Sequence, residues 1–177
     1  VHQANVTVLE PIFDLDKPIG STADMRTWYT TRLCQPTEYS QISHVVADGS
    51  WEAYAANVLE KFGREKIITS YAKNDHLGFN IYYMWNGSKR KYVPDFLIRL
   101  ANGKSLVLEI KGQDSDQNKA KRIALDMWVK AVNQKGGFGT WCWDVVKEEP
   151  SRMHDVILEH AKSTHYSKPI GELSLDL

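Results

Sequence analysis

Apolar residues recur with a helical period in three parts of the chain. The spacing predicts helices at residues 51–62, 115–132 and 150–161. Ser50 is placed to be the N-cap of the first helix, and Gly63 is placed to end it. The apolar face of this helix consists of Trp51, Tyr54, Ala55, Val58, Leu59 and Phe62.

Between the first two helices the pattern changes to short β-prone segments. Strands are predicted at residues 66–72, 79–85, 92–100 and 104–112, and another at residues 138–146 follows the second helix. The resulting order is helix, four strands, helix, strand, helix (α-β-β-β-β-α-β-α). This order indicates the α/β (α+β) class.

The weaker patterning at both ends of the chain suggests a division into parts. We interpret residues 1–48 as an arm that connects to upstream sequence, with a strand at residues 41–47. Residues 49–162 then form the domain, and residues 163–177 form a C-terminal tail that is expected to fray. The first residue is Val1 rather than Met, so we expect the chain to be a fragment of a longer protein.

The segment 92–112 is typical of a β-hairpin, and its register decides where its acids point. A two-residue Asn-Gly turn would pair Asp95 with Ile110 and separate Asp95 from Glu109. A three-residue loop at residues 101–103, ending in a left-handed glycine, pairs Asp95 with Glu109 instead. The three-residue loop also gives the hairpin one apolar face, made of Phe96, Ile98, Leu106, Leu108 and Ile110.

We therefore predict the three-residue loop, which places Asp95, Glu109 and Lys111 on one face. Two carboxylates opposite each other repel unless a positive charge lies between them, and an oxygen-liganded divalent cation supplies it. Lys111 can orient an attacking water or offset charge on a phosphoryl oxygen. The alternative is a surface strand whose acids pair with neighbouring basic residues. Because the surrounding strand is strongly apolar, unpaired acids there are costly, which favours a functional site.

Composition limits what the chain does alone. Its 22 basic and 22 acidic residues give a net charge of zero, which argues against an independent DNA-binding protein. A net charge of zero is still compatible with a catalytic module that a larger protein holds on nucleic acid. Cys34 and Cys142 have neither metal-ligand spacing nor a disulfide framework, so we expect a reducing cytoplasm. The sequence contains no signal peptide or transmembrane stretch, and we expect no membrane partner.

The motif residues Pro94-Asp95 and Glu109-Ile110-Lys111 resemble the signature of the restriction-endonuclease-like, or PD-(D/E)xK, superfamily. Within it, the chain resembles the C-terminal endonuclease domain of the restriction (helicase-nuclease) subunit of type III restriction enzymes. The resemblance covers most of residues 45–143. It rests on Ser50-Trp51-Glu52, Tyr71-Ala72-Lys73-Asn74-Asp75, Leu77-Gly78-Phe79, Tyr92-Val93-Pro94-Asp95-Phe96, Leu108-Glu109-Ile110-Lys111-Gly112 and Trp128-Val129-Lys130-Ala131-Val132-Asn133.

The resemblance implies a central mixed sheet flanked by helices and a set of site residues. Asp95, Glu109 and the Ile110 carbonyl would hold Mg²⁺, for which Mn²⁺ would substitute. Lys111 would position water or stabilise the transition state. Glu52, from the first helix, would complete the site, whereas Glu60 points away and is expected to be solvated.

The resemblance also implies partners. The substrate would be double-stranded DNA in a prokaryotic cytoplasm. A methyltransferase (modification) subunit would read the DNA site. ATP would be bound only by an upstream helicase region, and no Gly-x-x-x-x-Gly-Lys-Ser/Thr loop occurs in this chain.

Several basic residues are candidates for DNA contact. Lys119 and Lys121 lie on the second helix, and the turn at residues 89–91 contains Lys89 and Arg90. An ordinary solvated surface is the alternative for each. Arg122, Asp126 and Lys130, at i, i+4 spacing, are predicted to form ion pairs on an outer helix face.

Three functional hypotheses remain open. The first is a Mg²⁺-dependent DNA endonuclease domain of a type III restriction system. The second is a nucleic-acid-binding or subunit-binding module of the same fold without catalysis. The third is a structure-specific or RNA nuclease on the same core.

Overall fold

The structure is a computed structural model, and it describes residues 9–171. Short 3₁₀ turns lie at Thr22–Asp24 and Pro150–Arg152. The regular elements are β1 (Cys34–Pro36), β2 (His44–Val46), α1 (Ser50–Arg64), β3 (Ile68–Lys73), β4 (Ile81–Trp85), β5 (Ser88–Tyr92), β6 (Phe96–Leu100), β7 (Ser105–Lys111), α2 (Asp116–Lys135), β8 (Trp141–Lys147) and α3 (Met153–Ala161).

A mixed four-stranded sheet forms the centre of the molecule, in the order β3-β6-β7-β8. β6 is antiparallel to both β3 and β7, whereas β7 and β8 are parallel. A parallel pair requires a crossover, and α2 supplies it between β7 and β8. The predicted class, a mixed sheet flanked by helices, is thus confirmed.

The predicted order of elements missed one strand after α1. Residues 88–92 form β5, which pairs with β4 in a separate two-stranded sheet. A two-residue turn, in which Asn86 and Gly87 both have positive φ (48° and 72°), joins the two strands. This is the turn geometry that suits the twist of a tight hairpin, so the β4–β5 ribbon closes on itself and leaves the central sheet.

Each face of the sheet has its own apolar core. On one face, α1 and α3 pack over residues that include Phe96, Ile98, Leu106 and Leu108. On the other face, α2 and the β4–β5 ribbon pack around Val107. Among residues 9–171, no helix is both long and apolar enough to cross a membrane.

The predicted register of the β6–β7 hairpin is confirmed. Phe96 lies opposite Leu108 and Arg99 opposite Ser105, which continues to Leu100 opposite Lys104 around a three-residue loop. The Leu100 N–H donates to the Lys104 carbonyl at 2.9 Å. Gly103 closes the loop with a φ of 90°, a conformation that glycine adopts without a steric penalty.

The predicted stop of α1 at Gly63 is wrong, because the helix continues to Arg64. Gly63 lies under the ring of Tyr39, and a Cβ atom there would be 2.2 Å from that ring. Gly63 therefore permits close packing against residues 33–47 rather than ending the helix. The predicted N-cap is also shifted, since Ser50 is already helical and Gly49 takes the cap position.

Residues 33–47 lie against α1 and β3, and Glu60 anchors them there. Its carboxylate accepts hydrogen bonds from the backbone N–H of Glu38 (3.0 Å), the N–H of Tyr39 (3.3 Å) and the Tyr71 hydroxyl (2.9 Å). Burial and the neighbouring carboxylate raise the pKa of Tyr71. The expectation that Glu60 is merely solvated is wrong, because main-chain donors of the folded-back segment need an acceptor at this position.

Between Ser163 and Gly171 the tail, which was expected to fray, is hydrogen-bonded to the domain. Asp144, fully buried on β8, accepts hydrogen bonds from the N–H groups of Ile170 and Gly171, both at 2.9 Å. It also accepts the Val145 N–H at 2.8 Å and contacts Nε2 of His160, equally buried, at 2.8 Å. A buried carboxylate needs such donors, and the tail supplies two of them.

A second buried charge is held by the same tail. The Lys104 ammonium donates to the carbonyl of His165 at 3.0 Å and to the Ser167 hydroxyl at 2.9 Å. Burial lowers the pKa of Lys104. Asn102, in the β6–β7 loop, donates to the carbonyls of His160, Ala161 and Ser163. These contacts join the hairpin loop to the end of α3 and to the tail.

Candidate active site

Asp95 and Glu109 meet where β6 begins and β7 approaches its end. Both are on the sheet face that carries Leu97 and Val107, which is the face covered by α2. The Asn74 N–H donates to the Asp95 carbonyl at 2.8 Å, which fixes the backbone just before β6. The structure therefore brings the two predicted acids together.

Asp95 reaches across to the backbone of the opposite strand. Its Oδ2 accepts a hydrogen bond from the Ile110 N–H at 2.8 Å. In an antiparallel pair the N–H and C=O of one residue point to the same neighbouring strand. The Ile110 carbonyl therefore lies on the same side of β7 as Asp95.

Glu109 is held at both carboxylate oxygens. It is only 4% exposed, its Oε2 accepts the Tyr92 hydroxyl at 2.9 Å, and its Oε1 is 2.9 Å from the Lys111 ammonium. Tyr92 ends β5, so the β4–β5 ribbon contributes directly to the site. Tyr92 is thus a site residue that the sequence did not predict.

The pKa shifts in this cluster arise because two acids lie close together where solvent access is limited. Burial, and then the charge of Glu109, raise the pKa of Asp95 to about 7. Burial alone would lower the pKa of Lys111, but Glu109 and Asp95 outweigh it and the pKa is raised. Burial and Glu109 also raise the pKa of Tyr92. The arrangement thus favours any added positive charge near Asp95.

Glu52 lies near the acids, but another lysine holds it. Its carboxylate accepts the Asp48 N–H at 2.5 Å and is 3.4 Å from the Lys73 ammonium. Its charge contributes to the raised pKa of Asp95. By strand alternation Lys73 lies on the face that packs on α1, so it meets Glu52 there.

Lys73 is a second residue near the candidate site that was not predicted from the sequence. It is 5% exposed and forms ion pairs with Asp75 at 2.7 Å and Asp48 at 3.6 Å, in addition to Glu52. Burial lowers its pKa, but the surrounding carboxylates outweigh this and the pKa is raised. In the sequence, only the motif that contains Lys73 pointed to this residue. No periodic pattern of residues indicates that β3 lies beside α1.

No protein-family model matches the chain, and no curated protein or solved structure matches it. The candidate site therefore rests on its own geometry. Within residues 9–171, no group of three or more His, Cys, Asp or Glu side chains is arranged to hold a metal ion. The metal set expected from the resemblance consists of two carboxylates and one main-chain carbonyl.

The predicted DNA-contacting lysines of α2 are in different surroundings. Lys121 is half-buried, with its ammonium 5.7 Å from the centre of the Tyr92 ring. Burial and the nearby Lys111 lower the pKa of Lys121. Lys119 is exposed and 3.3 Å from Asp116. Only Lys121 of this pair lies beside the acids.

The predicted ion pairs along an outer face of α2 are partly wrong. Arg122 is 3% exposed and donates to both carboxylate oxygens of Asp114, at 2.8 and 2.7 Å. Arg122 lowers the pKa of Asp114 to about 2. Asp126 does pair with Lys130, at 2.5 Å, and also accepts the Trp143 indole N–H. Arg122 differs because it faces inward, toward the loop that leads from β7 into α2.

Cys34 and Cys142 are both free thiols. Cys34 is exposed, whereas Cys142 is buried in the sheet, and burial raises its pKa to about 12. Neither cysteine is near the Asp95 cluster in the sheet, since Cys142 pairs with Leu106 on the opposite face. The chemistry of the candidate site is therefore carried by oxygen and amine groups.

Proposed function

We propose that this chain is a Mg²⁺-dependent endonuclease domain that hydrolyses phosphodiester bonds of DNA, as part of a type III restriction enzyme. The observation that carries the proposal is that Asp95, Glu109 and Lys111 lie together on one sheet face. In addition, the Asp95 carboxylate accepts a hydrogen bond from the Ile110 N–H. A buried and a partly buried carboxylate beside a lysine are expected for metal-assisted hydrolysis and are costly as a purely structural device.

The order of elements around the site supports the same proposal. The path α1, β3, β6, β7, α2, β8 runs helix, three strands, helix, strand, and the three strands are neighbours in the sheet. Asp95 immediately precedes the second of these strands, and Glu109 lies on the third. The β4–β5 ribbon is an insertion between the first and second.

The donor chemistry fits Mg²⁺. Asp95 and Glu109 provide hard oxygen ligands, and the Ile110 carbonyl lies on the same side. Burial and the charge of Glu109 raise the pKa of Asp95, and a divalent ion beside it would offset the local negative charge. When bound, the ion would lower the pKa of a water and offset charge on the phosphoryl oxygens.

The side chains around the acids have separate roles in this proposal. Tyr92 fixes one oxygen of Glu109, and Lys111 contacts the other at 2.9 Å. Lys111 is the cation closest to the acids and would orient the attacking water or stabilise the developing negative charge. Lys73 restrains Glu52 beside the site rather than touching the substrate.

The test compares DNA cleavage by the wild type, Asp95→Asn and Lys111→Ala, with supercoiled plasmid and Mg²⁺ at low salt and high protein concentration. We expect each variant to cut at least about a hundredfold more slowly. Asp155→Asn makes the same charge change at an exposed position of α3 and serves as the matched control. Circular dichroism shows whether each variant is folded.

Two further measurements decide between the hypotheses. Calorimetric titration with Mn²⁺ should show binding to the wild type that weakens in Asp95→Asn and Glu109→Gln. Undiminished cleavage by Asp95→Asn would refute the proposed mechanism. Mn²⁺ binding without cleavage of plasmid, but with cleavage of RNA, would instead favour an RNA nuclease.

A further inference from the structure

The β4–β5 ribbon combines a packed face with a free one. Ile81, Tyr83 and Tyr92 are buried against α2, and Gln117 of α2 donates to the Tyr83 hydroxyl at 2.7 Å. The ribbon belongs to no larger sheet and is therefore held in place from one side only.

The outer face of the ribbon is basic and aromatic. Residues directly opposite each other share a face, so Tyr82 pairs with Lys91 and Met84 with Lys89 on the side away from the core. Tyr82 is 49% exposed, and the Lys89 ammonium is 4.4 Å from the centre of its ring. Arg90 is exposed as well, although it lies opposite Tyr83 on the other face of the ribbon.

The charge of this face is uncompensated. The chain contains no acidic residue between Asp75 and Asp95, although its total charge is zero. Within residues 9–171, none of Lys89, Arg90 and Lys91 forms an ion pair. Lys73 and Lys111, by contrast, both form such pairs. The ribbon therefore presents a local positive surface.

The ribbon is also connected to the acids. Tyr92, its last residue, donates to Glu109 at 2.9 Å. Each strand has five residues and so extends about 17 Å. Lys91 and Lys89 are one and three residues before Tyr92, so they lie within about 10 Å of it along β5.

We propose that the β4–β5 ribbon binds the sugar–phosphate backbone of duplex DNA through Lys89 and Lys91. This inference rests on the proposed function and names the surface through which the site receives its substrate. Charge complementarity selects a polyanion, and a two-stranded ribbon is an element that the major groove of duplex DNA accommodates. Phosphate contacts of this kind position the duplex without reading its sequence.

The test measures the anisotropy of a short fluorescein-labelled duplex in EDTA, which prevents metal-dependent cleavage. The variant Lys89→Gln/Lys91→Gln is compared with Lys61→Gln/Arg64→Gln, which makes the same change of charge at exposed positions of α1. At about 50 mM salt we expect the ribbon variant to bind roughly tenfold more weakly, and the control within about twofold of the wild type.

The salt dependence gives a second readout. Removing two phosphate contacts should reduce the slope of log K against log[salt] by about 1.8 in magnitude. Equal affinity and slope for the two double variants would overturn the inference, as would tighter wild-type binding to single-stranded DNA than to the duplex. Because binding is measured without metal, failure here is separate from failure of the cleavage test with Asp95→Asn.

Discussion

The raised pKa of Asp95 leads to a quantitative prediction about stability. Burial and Glu109 raise the pKa of Asp95 from an ordinary value of 3.8 to about 7. The folded protein therefore holds this proton more tightly than the unfolded chain does. Its stabilising contribution is complete below about pH 4 and is lost as the pH rises through about 7.

The size of the effect follows from the same numbers. Each pKa unit corresponds to about 1.4 kcal/mol. Ionisation of Asp95 therefore lowers the free energy of unfolding by about 4 kcal/mol in metal-free solution. Asp95→Asn keeps the shape of the neutral acid and retains an oxygen that accepts the Ile110 N–H. We expect this variant to match the wild type near pH 4 and to be more stable by up to about 4 kcal/mol at pH 8.

Urea denaturation followed by tryptophan fluorescence, with EDTA present, measures this difference at intervals from pH 4 to pH 8. Asp155→Asn again serves as control, because its carboxylate is exposed. The electrostatic reasoning would be refuted if the difference in free energy of unfolding between Asp95→Asn and the wild type stayed constant across this pH range. Added Mg²⁺ should narrow the difference at pH 8 by stabilising only the wild type.

Three further changes have defined outcomes. Asp144→Ala removes the acceptor of two tail N–H groups and should lower the free energy of unfolding by about 3–5 kcal/mol in urea denaturation. Gly63→Ala places a Cβ atom 2.2 Å from a ring and should cost about 1–3 kcal/mol, whereas Gly20→Ala, with nothing within 4 Å, should be nearly neutral. Tyr92→Phe removes the hydroxyl that fixes Glu109 and should lower the cleavage rate and Mn²⁺ affinity about 10–100-fold, with the fold unchanged by circular dichroism.

Strong one-sided burial made the β6–β7 hairpin predictable. Only one register gives it a continuous apolar face, and that face is the one packed on α1 and α3. The same register placed Asp95 opposite Glu109. Helices with clear apolar stripes were predictable for the same reason, although their ends moved by a few residues because capping depends on local detail.

Contacts between distant polar groups could not be predicted in this way. Glu60 binds main-chain donors of a segment about 20 residues away in sequence, and Asp144 binds the tail N–H groups of Ile170 and Gly171. Such contacts leave no period in the sequence. The separation of β5 from the central sheet was also missed, because alternation within a hairpin does not determine which other strands it joins.

The odd length of the β6–β7 loop has a consequence for insertions and deletions. Surface loops usually tolerate changes of length, because closing a slightly longer loop costs little. Here, removing one residue from 101–103 would change the parity of the hairpin and send either Asp95 or Glu109 to the opposite face. Insertion of two residues would preserve that parity. Over evolutionary time, this loop is therefore expected to change in length by even steps.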